Sequence, residues 1–86
     1  MNNLNANASA SNPDTTIVQL EREIAAFEHE QTQLLSRIRE LRDAEAADPT
    51  LSHAAEIFTL QQEKLRLDTE ILFRRNKIRL LHSQWA

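Results

Sequence analysis

The chain has 86 residues, so it forms at most one small domain, and a domain of this size buries little surface. It has no cysteine and no glycine, which excludes disulfides, thiolate metal sites and glycine-rich phosphate cradles. The formal charge of −3 excludes general attraction of its surface to nucleic acid or anionic membrane.

Tyrosine is also missing, prolines number two, and Ala, Leu, Glu, Gln and Arg dominate. That is the composition of a coiled coil or long-helix protein. A chain so short gains enough core by pairing with itself or with another chain.

Residues 1–12 are Asn, Ala and Ser with Leu4 the one large apolar residue after Met1. Such a segment buries too little to offset the entropy of ordering, and it reads as a disordered tail. An Asn/Ser-rich tail also suits an export signal recognised as unfolded chain. The first residues have neither the basic start nor the apolar stretch of a secretory signal. No run approaches the roughly 18 apolar residues of a membrane span. A cytoplasmic location is the default expectation.

A first helix is expected over about 13–46. Asn12 is a capping residue, Pro13 suits the first helical position, and Asp14 complements the helix dipole. Thr16 with Gln19 offers an alternative start as a capping box. Ile17, Ile24 and Ile38 share one heptad position, with Gln31 interrupting, and Leu20, Phe27, Leu34 and Leu41 share another. Alternating spacings of three and four define a seam for one close helical neighbour. The stripe is narrow.

The helical pattern breaks at Ala46-Ala47-Asp48-Pro49-Thr50. Proline disfavours helical geometry in the preceding residue, and Asp48-Pro49 reads as a cap and first position for a new helix. The expected turn covers about 47–50 and the second helix about 50–84, giving an antiparallel two-helix hairpin over 13–86. The alternative is one kinked helix of about 70 residues and roughly 105 Å.

The second helix keeps the heptad: Ile57, Ile71, Ile78 and Trp85 in one row with Lys64 interrupting, and Leu60, Leu67 and Leu81 in another with Arg74 interrupting. A third row, Leu51, Phe58, Leu65 and Leu72, is also spaced by seven. Together the rows span roughly 160° of the helix, more than a two-stranded seam needs. This helix therefore calls for a second neighbour, from dimerisation into a four-helix bundle or from a partner.

If the arms fold about Pro49, opposing residue numbers sum to about 98. Five of the eight resulting layers are wholly apolar. The other three, Ile24 with Arg74, Gln31 with Leu67 and Leu34 with Lys64, lie between Ile24 and Leu34 on the first arm. Polar seam residues set register at some cost in stability, and Arg74 and Lys64 have stems long enough to snorkel. Residues 14–30 carry five acids and one base, while 74–86 carry Arg74, Arg75, Lys77 and Arg79 with no acidic side chain. An antiparallel hairpin sets these stretches side by side, where they select orientation more than they add stability.

Chemistry finds little footing. His53 and Glu56 share a helical face, but two ligands make no metal site. Ser52-His53 and His82-Ser83 have no third group to orient the base. A two-helix hairpin has no concave pocket of its own. No catalytic, cofactor or metal site is expected, and the reading is of a non-enzymatic chain without a small-molecule substrate.

The residues singled out for partner binding are Leu51, Phe58, Leu65 and Leu72. Arg74, Arg75, Lys77 and Arg79, followed by Trp85, form a secondary patch. Read functionally, it is a small nucleic-acid site; read structurally, it neutralises the acidic start of the first helix. Trp85 falls at a seam position opposite Pro13, where it closes the open end or anchors a partner.

The run from Glu56 to Ile71, with its pattern Glu63-Lys64-Leu65-x-Leu67-x-x-Glu70-Ile71, resembles the second helix of small bacterial YdcH-type coiled-coil proteins. With the turn, the likeness covers about 40 of the 86 residues. It implies a small helical hairpin with no defined activity. The size, the Asp48-Pro49 turn and the two equal arms also look like the hairpin co-chaperones that hold needle subunits of type III secretion systems. That likeness implies a partner class, an amphipathic helix of a client.

Overall fold

A computed structural model describes residues 13–85. The called tail, 1–12, lies outside them. Two helices account for most of the described chain: α1, Pro13–Ala47, and α2, Ala54–Trp85. They pack against each other as a hairpin 61 Å long, 30 Å wide and 15 Å thick. There is no strand among the described residues. The single kinked helix is therefore excluded, and the antiparallel two-helix arrangement stands.

The turn differs from its expected form. Asp48 does not cap α2, which begins at Ala54 rather than near residue 50. The Asp48 amide still donates to the Ala44 carbonyl, closing α1, and the Asp48 carboxylate accepts from the Thr50 amide (3.0 Å) and hydroxyl (2.7 Å). The Leu51 amide donates to the Asp48 carbonyl, completing a β-turn with proline in its second position, a place that suits proline's fixed φ. Three further residues, Leu51 to His53, run outside any helix. The α2 ladder opens with the Ile57 amide donating to the His53 carbonyl. The Glu45 carboxylate, from the last turns of α1, accepts the His53 amide at 2.5 Å. The acid that satisfies the entry to α2 thus comes from the other arm.

The core is a single stripe between the arms. Leu20, Ile24, Ile38, Leu41, Ile57, Leu67 and Ile71 are buried, and every one belongs to the four seam rows expected from the heptads. Leu67 alone has no exposed surface. Ile38, Leu41 and Ile57 form a cluster near the turn with Leu60 packed on it. Towards the open end Ile17, Phe27, Ile78 and Leu81 are only half-buried.

The polar seam residues find partners. The Gln31 side-chain amide donates to the Lys64 carbonyl (3.4 Å) and to the Asp68 carboxylate, on either side of Leu67. The Lys64 ammonium lies 3.7 Å from Asp68. Arg74 runs its stem along the seam and lays its guanidinium over the Phe27 ring, 4.6 Å from the centroid. Its head donates to Glu23 (2.8 Å) and Glu70 (2.6 Å). No buried side-chain nitrogen or oxygen among the described residues lacks a partner. Satisfied groups of this kind fix register, because a slip of either arm would strand them.

Leu67→Ala should destabilise the hairpin by about 2–5 kcal/mol in chemical or thermal unfolding, since it opens a cavity in the one fully covered layer. The measurement is made at fixed protein concentration so that any self-association stays constant.

Candidate docking face

Phe58, Leu65 and Leu72 lie on a flank of α2, outside the seam with α1. An α-helix turns 100° per residue, which sets this row about 100–180° around the axis from Leu60, Leu67 and Ile71. The row is uncovered: Phe58 is 61 % exposed, Leu65 55 % and Leu72 59 %. Leu51, called as its first member, is 46 % exposed but precedes α2, so it extends the surface from the turn and not from the helix.

The first arm contributes to the same face. Leu35 of α1 is 45 % exposed, and with Ile38 and Arg42 it forms one wall of a groove whose other wall is Phe58, Gln61, Gln62, Lys64 and Leu65. The groove has a volume of about 400 Å³. Leu35, Ile38, Phe58 and Leu65 give it apolar lining, and Arg42, Lys64 and the two glutamines add polar groups.

Further along α2, Phe73 and Leu80 are 67 % and 59 % exposed and add to the uncovered surface. Neither was singled out from the sequence, and nor was Leu35. Phe73 and Leu80 are spaced by seven, a short fourth row that the count over the whole helix hides behind Ser52, Thr59 and Arg66. Leu35 shares its row with Asp14, Glu21, Glu28 and Arg42, so no periodicity marks it. Only the approach of α2 makes it part of a face. Val18, also exposed, stands apart near the start of α1 beside Arg22.

The basic patch is largely engaged. Arg74 bonds Glu23 and Glu70, and Arg75 bonds Glu28 at 2.6 Å. Lys77 acts electrostatically on Glu23. Arg79 has no ion-pair or hydrogen-bond partner among the described residues. The acidic start of α1 thus meets the basic end of α2, as the antiparallel register requires. Trp85 ends α2, and its side chain lies outside the described residues.

The charged groups on the opposite edge are also paired. Arg37 bridges the arms to Glu56 at 3.2 Å and approaches Glu40 at 3.5 Å; Arg66 holds Glu63 at 2.6 Å. Among the described residues no three of His, Asp or Glu are grouped so as to hold a metal ion. No helix among the described residues is long and apolar enough to cross a membrane. No family model, curated protein or solved structure matches the chain.

Three carboxyls titrate below their ordinary range. The hydrogen bond from Arg74, then that from Gln19, lowers Glu23 from 4.5. The Thr50 hydroxyl and then its amide lower Asp48 from 3.8. Arg66 lowers Glu63 from 4.5. A group whose folded pKa lies below its unfolded value stabilises the fold above the unfolded pKa and loses that contribution as pH falls. Melting temperature should therefore hold steady from neutrality to about pH 5 and decline below it, with Glu23→Gln flattening part of the decline.

Proposed function

We propose that the chain is a cytoplasmic, non-enzymatic interaction module whose exposed face, centred on Phe58 and Leu65, receives a helix of another protein chain. The observation that carries this reading is the exposure of Phe58, Leu65 and Leu72 in one row, joined by Leu35 across the groove. Scattered apolar residues are normal on a protein surface, but a contiguous row beside a groove marks an interaction site. Covering each of these side chains fully is worth about 1.5–3 kcal/mol. The occupant is a helix because a straight row spaced by seven matches the same spacing on a partner helix.

Two closures use this face. A homodimeric four-helix bundle is the simpler. A chaperone or adaptor would hold a client's amphipathic helix in the same place, as the resemblance to secretion co-chaperones implies. The second reading, a nucleic-acid-binding regulator working through the basic end of α2, draws on Arg79 and Lys77, the cations of that segment with no hydrogen-bonded acid among the described residues. It is the weaker because Arg74 and Arg75 are already spent on Glu23, Glu70 and Glu28.

Phe58→Glu and Leu65→Glu should abolish association while circular dichroism stays helical, since both side chains are exposed in the hairpin itself. Unchanged association in both variants, whether with itself or with partners retained from native extract, would remove the docking reading. The nucleic-acid reading expects retention on RNA or DNA that weakens steeply with salt, and lack of retention at low salt dismisses it.

A further inference from the structure

We infer that the occupant of the groove is an amphipathic helix of a different protein, with Asp or Glu bordering its apolar row and set against Arg42 and Arg39. The inference rests on the docking reading above and states the partner's chemistry.

Free charge at the groove sits on the α1 wall. Arg42 lines the groove with Leu35 and Ile38, and these three continue with Arg39 and Asp43 into a second hollow of about 270 Å³. Arg39 and Arg42 have no ion-pair or hydrogen-bond partner among the described residues. Arg37, Lys64, Arg66, Arg74 and Arg75, by contrast, each face a carboxylate of this chain. Asp43 is the one acid lining either hollow, and it lines the second hollow and not the groove itself. On the α2 wall Gln61 and Gln62 are neutral, and Lys64 already lies 3.7 Å from Asp68.

That free charge decides what can be seated. A helix covering Leu35, Phe58 and Leu65 also passes Arg42, which belongs to the same lining, and displaces water from its guanidinium. A desolvated charge is costly unless an opposite charge meets it, and a carboxylate matches the guanidinium fork. The groove lining holds no acid, so the carboxylate comes from the occupant. A basic helix would set like charge against both arginines. Arg39 and Arg42 are three residues apart, about 4.5 Å along α1, so acids spaced by three or four on the partner meet both.

The same requirement separates another protein from a second copy. The acids of α2 are Glu56, Glu63, Asp68 and Glu70, and each is already engaged, with Arg37, Arg66, Lys64 and Arg74 respectively. A second copy presenting its own exposed row would bring no free carboxylate from that helix.

Two fluorescent synthetic peptides test the inference against the full chain. Both are helical, with leucines at alternating spacings of three and four; one carries glutamates beside the leucines and the other carries lysines there. Fluorescence anisotropy should show the glutamate peptide bound about tenfold more tightly than the lysine peptide, as opposed against like charge requires. That affinity should fall as salt rises. Arg39→Glu with Arg42→Glu should remove or reverse the preference while circular dichroism stays helical, since both side chains are exposed. Equal binding of the two peptides, binding of neither, or a preference that survives the double charge reversal overturns the inference. So does a dimer of the unmodified chain that Phe58→Glu abolishes and the glutamate peptide fails to displace, because a second copy then holds the face. Each of these results leaves the docking reading in place, which falls only if Phe58→Glu and Leu65→Glu leave every association unaffected.

Discussion

Two helices side by side can cover only one stripe of each other, and α2 has more apolar surface than one stripe. The structure divides that surface. Ile57, Leu67 and Ile71 are buried against α1 together with Leu20, Ile24, Ile38 and Leu41. Phe58, Leu65 and Leu72 remain uncovered. Neither set can be exchanged for the other by rolling α2, because Gln31 bonds the Lys64 carbonyl and Asp68, and Arg74 bonds Glu23, across the arms in this one register. The polar layers that weaken the seam are what keep the outer row pointing outward.

Most of this was legible in the heptads. A period of seven with spacings of three and four names the buried rows directly, and all seven buried side chains come from them. The opposed charges of the two arms were legible too, since an antiparallel hairpin must bring residues 14–30 beside 74–85. The turn was less so. Asp48-Pro49 carries the same signature for a helix start as for a β-turn, and the choice went to the turn because the Thr50 amide and hydroxyl compete for the Asp48 carboxylate. The capping acid for α2, Glu45, is invisible in local sequence because it arrives from the other arm.

The candidate face was legible in part for a related reason. A row such as Phe58, Leu65 and Leu72 shows in the spacing of one helix. A groove wall such as Leu35, set in an otherwise charged row, shows only when two helices are placed together. Periodicity reports what one helix presents; it does not report what a neighbouring helix brings alongside.

The uneven burial along the hairpin has a consequence for how it opens and closes. Ile38, Leu41, Ile57 and Leu60 cluster at the turn, where Glu45 also holds the start of α2, while Ile17, Ile78 and Leu81 at the far end are half-covered. Pairs near the turn close the shortest loops and so meet at the least entropic cost. The hairpin then behaves as a zipper with its clasp at the turn: the arms join from residue 48 outward and fray from the free ends inward. Amide protons near Ile57 will be the last to exchange with solvent and those near Leu81 among the first, so the arms' free ends breathe while the turn half stays shut.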